Sequence, residues 1–307
     1  MASLIKKQTS NLHKQMITSI HIPDGGASNE LMTSSRDGSV LRWTSSEQGL
    51  IVSGSCDRMG GFVNSAILDK TQTKIVAAVE QNYACIIDTE TKKKTILRGH
   101  TGPVRCVDIN QDNSQILTGS IDGRVILWNV LGEQVYSLPP QNSWVTVAKF
   151  LPGKNDEIIV GYANGRVRIY DITNNNLITT YFKGQKEEVE SEEVGSPISS
   201  LSISAGGPFC SYATWDGTFY ILNLDVKLLV LEQNCNSCVT SLCFALTKPF
   251  LAVSTKRGVI IYDVLTSKRV VEEEFPKGNS AESICFLNDS LVCGFKNGEV
   301  SIFDLVD

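Results

Sequence analysis

One pattern of short apolar runs and polar turns recurs seven times along the 307-residue chain. Each copy ends on a large apolar residue followed by a small polar one. These closing pairs are Trp43-Thr44, Ile87-Asp88, Trp128-Asn129, Tyr170-Asp171, Leu222-Asn223, Tyr262-Asp263 and Phe303-Asp304. Their spacings are 44, 41, 42, 52, 40 and 41 residues. A unit of about 40 residues with four strands is typical of a WD-repeat propeller blade.

The turns inside the repeats indicate β-hairpins. Five copies carry Asp-Gly or Asn-Gly six residues before the closing residue, at Asp37-Gly38, Asp122-Gly123, Asn164-Gly165, Asp216-Gly217 and Asn297-Gly298. These dipeptides tolerate the positive φ of two-residue hairpin turns. Each small sheet can bury its two faces only against neighbouring sheets, and a closed ring leaves only short edges. We therefore predict an all-β fold, a single seven-bladed WD-repeat β-propeller spanning residues 1–307.

Two features refine this prediction. Only Leu305, Val306 and Asp307 follow the last closing pair, too few for a fourth strand. We therefore expect the N-terminal segment around Leu4 to complete the last blade as its outer strand. The 52-residue spacing places about ten extra residues at 183–195. This segment is acidic and poor in apolar residues, which predicts a mobile loop inserted between blades four and five.

Charge and composition exclude several classes of protein. The chain has 28 Lys and Arg against 33 Asp and Glu, a net charge of −5. Such a chain is a poor general nucleic-acid binder, although one basic edge can still meet phosphate. No apolar run is long enough to span a membrane, and the first ten residues lack the apolar core of a secretory signal. With nine cysteines, an odd number, free thiols and a cytoplasmic location are expected.

The sequence offers little catalytic chemistry. Among its three histidines, His100 is expected to have a structural role, bonding toward Asp122 and Trp128 through Ser120 or Thr118. The Cys-x-x-Cys of residues 235–238 has no second ligand pair, so no metal site is predicted. No phosphate loop, nucleophile elbow or cofactor fingerprint is present. We predict a protein that is not an enzyme, with no cofactor, no small-molecule substrate and no membrane partner.

Several stretches carry a resemblance to a known family. They are Ile17-Thr18-Ser19-Ile20, Ser34-Ser35-Arg36-Asp37, Val167-Arg168-Ile169-Tyr170, Val239-Thr240-Ser241-Leu242-Cys243-Phe244 and Val270-Val271-Glu272-Glu273. Together they resemble the receptor for activated C kinase, a WD-repeat scaffold of the small ribosomal subunit. The resemblance extends over residues 15–305. It implies a non-catalytic scaffold on the head of the 40S subunit that contacts rRNA and ribosomal proteins and recruits signalling kinases and translation factors.

The resemblance also implies contact residues. The family's first-blade turn carries an Arg-Asp-Lys run that meets rRNA, and here Arg36 is retained while Gly38 replaces the lysine. The expected rRNA-binding residues are Arg36, Lys6, Lys7, Lys14, Arg42 and Arg58. Further partner contacts are expected at Lys92, Lys93 and Lys94. Apart from the resemblance, the acidic insertion is either a tolerated surface insertion or a docking site for a basic partner, with contacts expected at Glu187 and Glu188. Shortened or altered loops leave a second interpretation open, a WD-repeat adaptor of another intracellular complex, such as a G-protein β-like signalling scaffold.

Overall fold

A computed structural model describes residues 3–23, 29–46, 49–56, 59–189, 191–205 and 207–306. Its strands form seven antiparallel sheets, which are the blades of the ring. The strands of the first three blades are β2 (Ile17–His21), β3 (Glu30–Ser35), β4 (Val40–Ser46), β5 (Gly49–Cys56), β6 (Val63–Leu68), β7 (Lys74–Val79), β8 (Tyr83–Asp88), β9 (Lys94–Arg98), β10 (Val104–Ile109), β11 (Gln115–Ser120), β12 (Val125–Asn129) and β13 (Gln134–Ser137). The predicted all-β, seven-bladed propeller is thus confirmed.

The remaining strands include both ends of the chain. They are β14 (Val145–Leu151), β15 (Lys154–Tyr162), β16 (Arg166–Asp171), β17 (Asn176–Phe182), β18 (Gln185–Glu187), β19 (Ile198–Ile203), β20 (Phe209–Thr214), β21 (Thr218–Asn223), β22 (Leu228–Asn234), β23 (Val239–Phe244), β24 (Phe250–Thr255), β25 (Gly258–Asp263), β26 (Lys268–Glu274), β27 (Ala281–Leu287), β28 (Ser290–Phe295), β29 (Val300–Val306) and β1 (Ser3–Ser10). Blade seven has the order β1-β29-β28-β27, so the N-terminal strand completes it, as predicted.

The core lies between the blades rather than within any one of them. The middle strands consist largely of apolar, often β-branched residues that are buried on both faces, as in β7 and β25. Because a lone sheet would expose both faces, each blade is stable only when packed between two others. The inner strand of each blade contacts that of the next, and β27 contacts β2, which closes the ring.

A β-bulge recurs near the start of every inner strand. In blade one the register shifts between Ile17 and Ser19, and the same shift occurs in the other six blades. The apolar residue before the bulge is buried against the preceding blade. At the closure, a Cβ on Gly294 of blade seven would lie 2.5 Å from Ile17 Cγ2, so only glycine fits there. The bulge lets the following residues of the inner strand line the central channel.

The acidic insertion differs from the loop expected. Part of it forms β18, a fifth strand that pairs with β17 at the outer edge of blade four. The strand forms because Glu187 of the insertion pairs with the buried Arg166 of blade four. The segment 183–195 is therefore partly ordered into the blade.

Candidate functional site

The two faces of the ring carry different loops. Neighbouring strands are antiparallel, so the turn between the second and third strands of a blade lies on the same face as the loop leading to its first strand. In blade one the amide of Arg36 donates to the Met16 carbonyl at 3.0 Å, which joins the two loop types. We call this side, marked by Arg36 and Met16, the tetrad face, and the other side the opposite face.

A hydrogen-bonded tetrad joins these loops in blade three. His100 Nδ1 lies 2.9 Å from Asp122 Oδ2, and its Nε2 lies 2.8 Å from Thr118 Oγ1. The indole nitrogen of Trp128 donates to the same hydroxyl at 2.9 Å. Thr118 is therefore the linking residue, and Ser120 instead donates to a backbone carbonyl of the preceding loop. The histidine is buried and all its ring nitrogens are engaged, which gives it a structural role.

A second tetrad in blade one was missed by the sequence analysis. His13 Nδ1 lies 3.2 Å from Asp37 Oδ2 and 2.9 Å from Ser39 Oγ, while Nε2 lies 2.8 Å from Thr33 Oγ1. Trp43 donates to Thr33 Oγ1 at 2.8 Å. A leucine rather than a glycine precedes His13, which removes the usual Gly-His signature. The available signal was the ten-residue separation of threonine and tryptophan, which both tetrads share.

The tetrad of blade three should make stability depend on acid pH. Burial alone would raise the pKa of Asp122, but hydrogen bonds from His100 and from the amides of Thr101 and Arg124 outweigh it and lower the pKa to about 2. Because the folded pKa is below the unfolded value of 3.8, this stabilisation is present above about pH 4 and is lost as the pH falls toward 2. We expect it to be worth about 1 kcal/mol after solvent screening.

Urea unfolding of the wild type and of Asp122→Asn at several pH values measures this effect. We expect the free energy of unfolding of the wild type to fall more steeply between pH 5 and about 2 than that of the variant. Parallel pH dependences would contradict the proposed pKa of Asp122.

Arg36 and Lys14 lie side by side on the tetrad face. Both side chains are exposed. The amide of Lys14 donates to Asp37 Oδ2 at 2.8 Å, which holds the loop against the turn that carries Arg36. Within the described part of the chain, no carboxylate oxygen lies within 4.0 Å of either cationic group. Arg36 also borders the central channel. These two cations are therefore available to an anionic partner.

Lys6 and Lys7 are placed elsewhere, on the outer strand of blade seven. Lys6 Nζ lies 2.6 Å from Glu299 Oε1, and Lys7 Nζ lies 3.4 Å from Asp304 Oδ2. Both pairs are on the rim of the ring, where such ion pairs contribute little to stability. The structure therefore does not bring these lysines into one patch with Arg36.

Arg42 is not a free cation. Its Nε donates to Glu30 Oε2 at 2.8 Å, and its guanidinium also contacts the Gln72 side chain. Arg42 thus shares its charge with an internal carboxylate, and the rRNA contact expected there stays a prediction. Arg58 lies outside the described residues.

The basic run at Lys92, Lys93 and Lys94 begins in the loop between the third and fourth strands of blade two. That loop belongs to the opposite face, so the run is separated from Arg36. Lys92 and Lys93 are exposed. Lys94 donates to the Met59 carbonyl at 3.1 Å and lies 5.4 Å from the centroid of the Tyr83 ring. All three lysines are exposed, and Lys94 is the one whose ammonium group also has a contact within the molecule.

The acidic insertion is anchored by a buried arginine. Arg166, 2% exposed, donates to the two carboxylate oxygens of Glu187 at 2.8 and 3.0 Å. It also donates to the carbonyls of Ser191 at 2.7 Å and Glu193 at 3.1 Å. The expected partner contact at Glu187 is therefore corrected, because its carboxylate is used inside the molecule. Glu188, the next residue, is exposed.

The channel wall holds the titratable groups that the sequence analysis left aside. His21 lines the channel, where burial and the charge of Lys149 lower its pKa to about 4. Cys235 and Cys238 are free and half-buried. In the described ranges, no three His, Cys, Asp or Glu side chains are grouped so as to hold a metal ion.

Comparison with known proteins supports the repeat assignment. The family model "WD domain, G-beta repeat" matches residues 91–129, which include the tetrad of blade three. The chain is 26% identical to a guanine nucleotide-binding protein subunit beta-like protein of Encephalitozoon cuniculi, with 96% of this chain and 95% of the relative covered. It is also 26% identical to small ribosomal subunit protein RACK1y of Oryza sativa, over 61% of this chain and 67% of the relative. A third relative, the U3 small nucleolar RNA-associated protein 15 homolog of Xenopus tropicalis, is 28% identical over 66% of this chain but only 38% of the relative.

The seven-bladed ring, its two tetrads and the match of residues 91–129 to the WD-repeat model together indicate a β-propeller of the WD-repeat type. Over 96% of its length the chain is similar to the guanine nucleotide-binding protein subunit beta-like protein of Encephalitozoon cuniculi. None of the described residues belongs to a helix with the length and apolarity that crossing a membrane requires.

Proposed function

We propose that this protein is a non-catalytic scaffold bound to the head of the small ribosomal subunit in the cytoplasm. The proposal depends mainly on Arg36 and Lys14, which are both exposed. Among the described residues, no carboxylate oxygen lies within 4.0 Å of the cationic group of either. One cation on a hairpin turn and another on the loop bonded to that turn fit the phosphates of rRNA, and the planar guanidinium can bind a phosphate with two hydrogen bonds. Similarity to a small ribosomal subunit protein of rice supports this proposal.

The turn of blade one limits how strong this contact is. Gly38 has a φ of +83°, and a Cβ there would lie 3.1 Å from the Gly61 carbonyl oxygen. A lysine at position 38 would strain this turn. The chain has glycine there and therefore lacks the third cation found in the family it resembles. With Arg36 and Lys14 as the main contacts, we expect a shallow salt dependence, with about one ion released per phosphate contact.

If the blade-one turn contacts rRNA, the other surfaces of the ring are left for binding other proteins. Lys92, Lys93 and Glu188 are exposed on other parts of the molecule. They offer surfaces on which signalling kinases or translation factors would be brought to the ribosome.

Sedimentation of cell extract through sucrose gradients at low and raised salt tests the proposal. We expect the wild type to travel with small subunits at low salt and Arg36→Asp to stay at the top. Arg257→Asp is the matched control, because Arg257 is also an exposed arginine in the equivalent turn of blade six; it should sediment like the wild type.

A second candidate function predicts a different gradient. The extensive similarity to a G-beta-like protein favours an adaptor in another signalling complex. In that case the wild type itself stays at the top of the gradient at low salt. Its partners would then be identified by affinity capture followed by reconstitution from purified components.

A further inference from the structure

One residue per blade forms a ring around the central channel. Each is the fourth residue after the one that precedes the bulge of its inner strand. The seven residues are His21, Ile67, Asp108, Lys149, Ser202, Cys243 and Cys285. At Asp108 and Ser202 the equivalence is visible in a contact between blades, because an amide of the next blade's inner strand donates to the side chain. Phe150 N donates to Asp108 Oδ2 at 2.8 Å, and Phe244 N donates to Ser202 Oγ at 3.1 Å.

Two thiols of this ring face each other. Cys243 of blade six and Cys285 of blade seven have their Sγ atoms 3.7 Å apart. Both are free, half-buried and part of the wall of a channel of about 790 Å³. A second pair of cysteines, Cys235 and Cys238, is close in sequence and lies in the loop before β23.

We propose that Cys243 and Cys285 form a dithiol site that a low-molecular-weight disulfide, such as oxidised glutathione, converts to an interblade disulfide. The separation of the two sulfurs needs to shrink by less than 2 Å to reach a bond of about 2.05 Å. The channel provides access for a small reagent. This inference is independent of the proposed ribosomal role.

The surroundings assign different roles to the two thiols. The hydrogen bond between the Cys243 and Cys285 sulfurs lowers the pKa of the Cys243 thiol. The Phe286 amide, whose nitrogen is 3.4 Å from Cys243 Sγ, and the charge of Lys149 also lower this pKa, whereas burial raises it. A thiol stabilised as thiolate is the attacking nucleophile in disulfide exchange. Cys285, whose pKa is raised by its hydrogen bond to Cys243 and by burial, is the resolving thiol.

The reaction then balances in two exchanges. The Cys243 thiolate attacks one sulfur of the external disulfide, forms a mixed disulfide and releases the other half as a thiolate. Cys285 loses its proton to solvent and attacks Cys243 Sγ, which releases the second half. The protein is oxidised by two electrons, and one external disulfide is reduced to two thiols.

The disulfide would affect the closure of the ring. Blade seven contains both the N-terminal and the C-terminal strands, and the new bond would tie its inner strand to blade six. Because the bond closes a loop between residues 243 and 285, it restricts the unfolded chain and should raise the melting temperature by about 5–10 °C.

Thiol mapping of the full-length wild type tests the proposal without any substitution. The protein is equilibrated in buffers of increasing ratio of oxidised to reduced glutathione, quenched in acid, alkylated, digested and analysed by mass spectrometry. We expect a peptide pair linked through Cys243 and Cys285, while Cys235 and Cys238 remain alkylated. Alkylated Cys243 and Cys285 under excess oxidised glutathione, or a preferred link elsewhere, would overturn the proposal.

Variants separate the two steps. Cys285→Ser should accumulate Cys243 as a mixed disulfide with glutathione, and Cys243→Ser should slow modification of Cys285 by at least about tenfold. Cys235→Ser, the matched control, should still form the link. Equal modification of Cys285 with and without Cys243 would refute the assigned roles.

Discussion

A variant without residues 2–10 is expected to melt at least about 10 °C below the wild type. These residues include β1, which pairs with β29 through seven residue partners. Their loss leaves β29 as an unpaired edge and exposes the apolar residues that Leu4 covers in blade seven. Lost ladder hydrogen bonds and lost burial together should cost about 4 kcal/mol. Thermal unfolding followed by far-ultraviolet circular dichroism measures the shift.

Two point substitutions control for effects of shortening the chain. Leu4 is 8% exposed and Ile5 is 55% exposed, although they are neighbours on the same strand. We expect Leu4→Ala to cost about 2–3 kcal/mol and Ile5→Ala less than about 0.5 kcal/mol. If the truncated chain melts with the wild type, or if both substitutions have equal effects, the strand does not close the ring.

The fold could be predicted because it depends on signals that repeat. Seven closing pairs at nearly constant spacing mark the third strand of each blade, and five Asx-Gly turns mark the hairpins that connect the second and third strands. Each signal is local, and agreement among seven copies compensates for the weakness of any one. The role of the N-terminal strand followed from the same count, because the last blade lacked a fourth strand.

The two tetrads show that a sequence motif identifies a structural histidine in one blade and fails to identify it in another. His100 was recognised because Gly99 precedes it, whereas His13 makes the same contacts without that glycine. The contacts require only an imidazole at the correct place in the loop, so the dipeptide is a sign of the network and not its cause. Thr33 and Trp43 are ten residues apart, as are Thr118 and Trp128 in blade three. This shared spacing would have identified the tetrad of blade one.

The charged residues could not be assigned from sequence position. Arg42 was expected to act with Arg36, yet it pairs with Glu30 on the neighbouring strand β3. Lys6 was expected to do the same, yet it pairs with Glu299, which directly precedes β29. Whether a cation is available to a partner depends on these tertiary contacts. Likewise, an acidic run predicted a loop, because the sequence contains no local sign that Arg166 is buried nearby.

The second large effect is expected at this buried arginine. The side chains of Arg166 and Glu187 are 3% and 9% exposed, and Arg166 also stacks on the Phe182 ring at 4.8 Å. Glu187→Ala leaves a buried guanidinium without its bidentate carboxylate, which should cost about 3 kcal/mol of unfolding free energy. We also expect β18 to detach from β17, because Glu187 is one of its three residues. Urea unfolding measures the first effect, and tryptic cleavage after Lys186 measures the second.

Glu188→Ala provides the matched control for this substitution. It removes the same charge from the adjacent residue, which is exposed and makes only a weak ion pair with Lys186 at 3.6 Å. We expect a change below about 0.5 kcal/mol and no increase in cleavage. The double variant Arg166→Met with Glu187→Leu should be more stable than Glu187→Ala, because it removes the buried guanidinium together with its carboxylate partner. If Glu187→Ala and Glu188→Ala behave alike, the insertion is not held to blade four by this ion pair.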